Sequence, residues 1–224
     1  METGFERKET LKKITEKAHD LFFRYGIRGI TMDDIAHGLG MSKKTIYKFF
    51  GNKDALVEEL VDMETKKNMV SCQILLSISD DAIIELFFLL VYAKRLYLKL
   101  NSSIIHDLEK KHHDIYIKLN DYKNGFIYQS IKTSISKGIG QHLYQPDLNV
   151  EVIARFFLES LVIVADNKIF PAEQFNSNTL AEEIFGHLIN GIASSEGLEL
   201  INKYKNQQGL ISLIEPGNKP YWDA

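Results

Sequence analysis

A chain of 224 residues, 45% hydrophobic and 25% charged, has the makeup of a folded globular protein and excludes a disordered or fibrous one. Its one cysteine, Cys72, excludes an internal disulfide and any cysteine-built metal site, and fits a reducing, cytoplasmic setting. The net charge of −3 excludes a uniformly basic binder of polyanions, yet the charge is uneven: residues 1–56 balance at +3 and residues 57–224 at −6, and residues 40–53 carry Lys43, Lys44, Lys48 and Lys53 with no acid.

Met1–Lys13 is too charged for a secretory signal. Leu11, Ile14, Ala18, Leu21, Phe22 and Tyr25 recur at three- and four-residue steps, which predicts a first helix ended by Gly26 and Gly29. Thr31 offers an N-cap to a short second helix, with Asp33 and Asp34 in the first turn where the helix dipole favours acids. Met32, Ile35, Ala36 and Leu39 form its apolar face, and Gly40 breaks it. Ser42 caps a third helix whose inner face is Ile46, Phe49 and Phe50. Asn52 caps a fourth, expected from Lys53 to about Val70.

The stretch from Thr31 to Phe50 is the most informative. Two short helices can cross steeply only with a small residue where they touch, here Ala36, and a turn residue comfortable at positive φ, here Gly40. Ile46 and Phe49 then face inward, and Lys43, Lys44, Tyr47 and Lys48 fall together on the outward side. A basic face carrying an aromatic is what a helix lying in the major groove of DNA requires.

Later helices are expected near 80–99, 103–137 with a break around Asn124–Gly125, 149–167 and 179–194, the last opened by a capping box of Thr179 and Glu182. The apolar run of residues 82–93 is interrupted by Glu85 and too short to cross a bilayer, so no membrane partner is expected. Gly209, Pro216, Gly217 and Pro220 make residues 207–224 an irregular tail. No strand signal is present, so the fold class is all-α. The helix over 149–167 is apolar nearly all round and must be covered on every side. Residues 81–175 hold 13 Phe and Tyr, enough to line an apolar pocket, for which Tyr92, Phe126 and Phe157 are the candidates.

Residues 5–60 resemble the DNA-binding head of the TetR family of bacterial regulators. The resemblance runs through residues 21–26 (LFFRYG), 30–36 (ITMDDIA), 39–43 (LGMSK), 45–47 (TIY), Phe50, 52–54 (NKD) and Leu56. It implies a three-helix helix-turn-helix head over 7–67, joined by a long helix to a ligand-binding and dimerisation body over 68–206. It implies contacts to an operator duplex from Thr31, Ser42, Lys43, Lys44, Thr45, Tyr47, Lys48 and Lys53. Phe49 departs from the family, many of whose members carry histidine or tyrosine there, so that position can donate no hydrogen bond to DNA. In the body the resemblance implies a small-molecule effector and a homodimer, with Phe157, Leu161, Val164, Phe185 and Ile189 expected in the seam. The function implied is a repressor released by a small apolar or aromatic ligand; a body that docks a protein partner, or an all-helical enzyme, are the alternatives. No catalytic residue, cofactor or metal is expected: His106, His112 and His113 lack a metal-binding pattern, and no nucleophile or phosphate-loop motif is present. Cys72 reads as a small buried hydrophobe.

Overall fold

The first helix bends at a glycine in a backbone conformation that favours glycine. In the computed structural model, which describes residues 4–206 apart from Asn101, α1 spans Gly4–Gly29 and is kinked at Gly26, whose backbone sits at φ 74° and ψ 161°. The chain continues through α2 (Met32–Leu39), α3 (Lys43–Phe49), α4 (Lys53–Ile78), α5 (Ala82–Leu100), α6 (Ser102–Lys111) and α7 (His113–Tyr122). A π-helical turn, Lys123–Ile127, leads into α8 (Tyr128–Gly140), followed by α9 (Val150–Val164), α10 (Ser177–Ile192) and α11 (Ser195–Asn206). No strand occurs among the described residues, only an isolated bridge between Tyr144 and Ala193. The fold is all-α.

The chain divides into two compact units. The first takes the chain up to Lys67 together with Leu98–Asp121. Its core is Ile14, Ala18, Phe22, Ile35, Ile46 and Leu56, all buried. The inner face expected of α1 stops at Phe22, because the kink leaves Tyr25 exposed. A domain running only over 7–67 therefore falls short: α6 and most of α7 belong to the same unit. The reason is amphipathicity, since Ile104, Leu108, Ile115 and Leu119 turn inward while the lysines of these helices stay out. The Arg28 amide donates to Asp107 Oδ2 at 3.0 Å, and Lys118 pairs with Glu58.

The second unit takes Asn68–Tyr97 and the described chain from Tyr122 to Asn206. Ile131 and Ile135 of α8 pack with Ala154, Leu158 and Leu161 of α9 in its centre, all buried. The Tyr144 hydroxyl donates to the Ala82 carbonyl at 2.9 Å, anchoring the loop before α9. The helix expected over 103–137 is broken at His112, between α6 and α7, and the break foreseen at Asn124–Gly125 is a π-turn through which α7 continues into α8. At α10 the cap is Asn176, whose side chain accepts from the Thr179 amide at 3.2 Å, so Thr179 lies inside the helix and does not open it. α11 is a further helix, beyond the last one expected over 179–194. The tail expected over 207–224 lies outside the described residues.

The residues expected in a dimer seam are elsewhere. Phe157, Leu161, Val164, Phe185 and Ile189 are each 3% exposed or less within the single chain. They form the inner faces of α9 and α10. The apolar residues that α9 leaves in solvent are Val152, Phe156 and Ile163, exposed by 60, 56 and 43%. Steps of four and seven residues set these three on one side of the helix.

A Cβ at Gly26 would lie 3.2 Å from both Asp107 Oδ2 and Ser103 Oγ. Its φ and ψ fall in a region that other residues occupy at a cost on the order of 1–3 kcal/mol. Gly26→Ala is therefore expected to lower unfolding stability by about 2 kcal/mol, read as a reduced denaturation midpoint at unchanged slope.

Candidate nucleic-acid interface

α3 has seven residues, too few to persist without support at both ends. The support begins at Thr31, which caps α2: its hydroxyl accepts from the Asp34 amide at 3.2 Å, while its own amide donates to Asp34 Oδ2 at 2.8 Å. The Thr31 hydroxyl and amide hold the Asp34 carboxyl below the usual carboxylate range. Gly40 takes the left-handed conformation at φ 63° and its amide donates back to the last turn of α2. Ser42 then caps α3, accepting from the Thr45 amide at 3.1 Å, with its hydroxyl 2.8 Å from that of Thr45. Ile46 is fully buried beneath, and Phe50 closes the helix.

The outward side carries Lys44, Tyr47 and Lys48, all exposed; the tyrosine ring is 48% exposed and is not a core residue. Thr31 and Ser42 are also exposed, and Thr45 is half-buried. Two of the lysines expected to touch DNA also have partners within the chain. Lys43 reaches back to an ion pair with Asp33 of α2 and so braces the crossing of the two helices. Lys53 is half-buried, its ammonium donating to the carbonyls of Ile27 and Ile30 and lying 5.9 Å from the Phe22 ring centre. Burial pushes its pKa down, opposed by Asp107, Asp54 and Asp34. Two of its three protons serve the end of α1. Sequence reasoning passed over Arg7, because nothing local ties it to α3: its guanidinium carbon lies 5.5 Å from the centre of the Phe49 ring, 42 residues further on.

In the second unit, two of the three expected pocket residues come together. Tyr92 is buried with Cys72, Leu75 and Leu89, and Phe126 packs against them with Leu76 and Phe88. Phe157 is buried on the inner face of α9 and is not part of this cluster. The cluster has a polar margin. The Asn68 amide donates to the Tyr92 carbonyl at 2.7 Å and its oxygen accepts from the Tyr122 hydroxyl at 2.8 Å. The Tyr122 ring stacks on Phe126 at 5.6 Å, and Arg95 lies 4.6 Å over the Tyr92 ring. Burial pushes the Cys72 thiol up to about 12, so it is a thiol that does not ionise at neutral pH. A second group missed from sequence is Lys94, an ammonium 2% exposed on α5, which burial pulls down to about 8 against the opposing pull of Glu182. Among the described residues no cluster of His, Cys, Asp and Glu is arranged for a metal. A small apolar cavity in the first unit, bordered by Phe22, Ile27, Leu60 and Ile104, has a volume of about 20 Å³, room for about one water.

Comparison with known proteins converges on one group. Residues 14–60 match the family described as bacterial regulatory proteins, tetR family. YvaF, an HTH-type transcriptional regulator of Bacillus subtilis (strain 168), is 25% identical over 188 residues, covering 83% of this chain and 96% of its own. IcaR of Staphylococcus aureus, a negative transcriptional regulator of the biofilm operon icaADBC, is 24% identical over 191 residues, covering 79% and 95%. Among solved structures, a transcriptional regulator from Saccharomonospora viridis in complex with choline superposes with a TM-score of 0.71 at 20% identity, covering 84% of this chain and 99% of its own. FadR from Bacillus subtilis in complex with stearoyl-CoA gives 0.67 at 16%, covering 81% and 98%. At these identities the structures establish the fold.

The division of labour among the lysines has a direct readout. Lys53→Met is expected to lower stability by about 1.5–3 kcal/mol, since it removes charged hydrogen bonds to two carbonyls. Lys44→Ala and Lys48→Ala should each stay within about 0.5 kcal/mol of the parent. Chemical denaturation of the three variants separates bracing lysines from outward ones.

Proposed function

The chain belongs to the TetR family of bacterial regulatory proteins and is a DNA-binding transcriptional regulator; from that premise we propose that it is a repressor whose two copies hold α3 in the major groove of an operator until an effector binds the body. The observation that carries the reading is the outward trio Lys44, Tyr47 and Lys48 on a helix capped at both ends and seated on Ile46. Charged ends on such a helix meet phosphates, and lysine and tyrosine reach base edges. Thr31 and Ser42, exposed at the starts of α2 and α3, are further backbone contacts in this reading, with Thr45 beside them. The negative regulation by IcaR supports repression as the sign.

For the effector we propose a small apolar or aromatic molecule held at the Tyr92 and Phe126 cluster. The support is an apolar wall with a few oriented polar groups, the makeup of a small-molecule site. Stearoyl-CoA on FadR and choline on the Saccharomonospora protein show how widely ligands vary on this fold. Reading two half-sites requires the two α3 helices to stand about 34–36 Å apart, one turn of DNA. An effector that prefers another spacing lowers operator affinity by its differential affinity, typically about 1–3 kcal/mol.

The test of repressor and effector together is reciprocity. Lys44→Ala and Lys48→Ala are expected to weaken operator binding and flatten its salt dependence by about one unit of slope each per head, with folding intact. Calorimetric titration of a small alkyl ligand and of a small aromatic ligand into free and DNA-bound protein should show one of them binding the free form more tightly. Equal affinities for both forms would remove the effector reading and leave DNA binding standing.

The second copy, in this reading, covers Val152, Phe156 and Ile163. Phe156→Glu places a charge on an exposed position, so the chain should fold with parental stability yet sediment as a monomer at micromolar concentration. Leu161→Glu, in contrast, should unfold the body. A Phe156→Glu dimer as tight as the parent would move the interface off this side of α9.

A further inference from the structure

A phenyl ring ends α3, and it has nothing to offer a phosphate. The last turn of a helix also carries partial negative charge on its free carbonyls, which repels DNA backbone unless a cation stands beside it. The structure puts one there from another helix. Arg7, exposed in the first turns of α1, holds its guanidinium over the Phe49 ring at 5.5 Å. The neighbouring cations of α1 lie along their own helix, Lys13 paired with Glu9 at 2.7 Å and Lys12 with Glu16 at 3.7 Å. Arg7 instead reaches α3. That helix is about 10 Å long, so a group seated on Phe49 is within one side-chain length of Lys48.

A guanidinium resting on an aromatic face has its orientation fixed while its N–H groups remain in the plane, free to fork onto a phosphate. We infer that Arg7 is a DNA-backbone clamp: Phe49 seats the guanidinium at the C-terminal end of α3, where it grips an operator phosphate. The hydrogen bond that Phe49 cannot offer is thereby supplied from α1. The inference rests on the reading that Lys44, Tyr47 and Lys48 face DNA, and the controls below tell the two apart.

A phosphate contact is independent of sequence, so the probe is a duplex of about 30 base pairs of arbitrary sequence. Its binding to the full chain is followed by fluorescence anisotropy across a potassium chloride titration. Arg7→Ala is expected to weaken binding several-fold and to flatten the log–log salt slope by about one unit per head, as a lost phosphate contact does. Phe49→Leu keeps an apolar residue and removes the seat, so it should give part of that loss in the parent and none in the Arg7→Ala background. Arg7→Lys should keep most of the salt slope. An unchanged slope in Arg7→Ala while Lys48→Ala flattens it would overturn the clamp and leave Arg7 a brace between α1 and α3. Lowered thermal stability with unchanged slope would have the same meaning. Parental slopes in both variants would remove the DNA face itself, and the clamp with it.

Discussion

Everything outward on α3 depends on the capped turn between Leu39 and Lys43. A seven-residue helix gains too few internal hydrogen bonds to offset the ordering of its backbone, so its persistence comes from its ends and its buried side. The Thr31–Asp34 box fixes where α2 begins, Gly40 turns the chain, and Ser42 fixes where α3 begins. Ile46 then has one place to go, beneath the crossing, and that sets the rotation of the helix. A shift of one residue at Ser42 would turn Lys44, Tyr47 and Lys48 by about 100° and put Tyr47 where Ile46 now sits. The specificity of the interface is thus inherited from a turn that itself need touch no base.

The same turn explains why four lysines within eleven residues have three different jobs. Lys43 is one turn from α2 and finds Asp33, so its charge stiffens the crossing. Lys53 is folded under α1, where its ammonium donates to the carbonyls of Ile27 and Ile30. Lys44 and Lys48 have neither an acid nor a carbonyl assigned by the fold and project outward. Composition counts four equal charges, and only position relative to helix ends distinguishes them. Arg7 obeys the same logic in reverse, a distant cation brought to α3 by a ring that happens to end it.

What the sequence made legible was local. Thr31, Gly40, Ser42 and Asn52 could be read as caps because a cap is decided within four residues, and the inward side of α3 followed from Ile46. The faces of α9 were misread, since the long apolar run of Val152, Phe156, Phe157, Leu161, Ile163 and Val164 masked the polar stripe Glu151, Arg155 and Glu159, whose four-residue steps mark the outer side. Burial chose Phe157 and Leu161 for the inside and left Phe156 and Ile163 in solvent, a choice made by neighbours far along the chain. The N-cap of α10 was misplaced by three residues because Asn176 and Thr179 are both competent caps, and the chain took the earlier. Arg7 and Lys94 were invisible for a plainer reason: a lysine or arginine on a helix usually stays solvated, and only the packing of a second element changes that.

The body combines an apolar cluster with polar groups that are already satisfied, and that constrains what can enter it. Asn68 uses its amide on the Tyr92 carbonyl and its oxygen on Tyr122, while Tyr122 also stacks on Phe126. A hydrocarbon wedged between Tyr122 and the cluster would gain apolar contact with Leu75, Leu89 and Phe126, about 25 cal/mol for each Å² taken from water. It would also strand the tyrosine hydroxyl and leave the Asn68 oxygen only the weak Cys72 thiol at 3.8 Å, at about 1–3 kcal/mol apiece. Some 80–240 Å² of new apolar burial is needed to offset those two losses at that coefficient, the area of one large side chain. A ligand carrying a single hydrogen-bonding group beside its apolar part avoids one of the losses and needs about half that area. The chemistry at Asn68 therefore favours an amphiphile over a pure hydrocarbon, and it does so at the margin of the cluster where Tyr122 begins the passage into the π-turn.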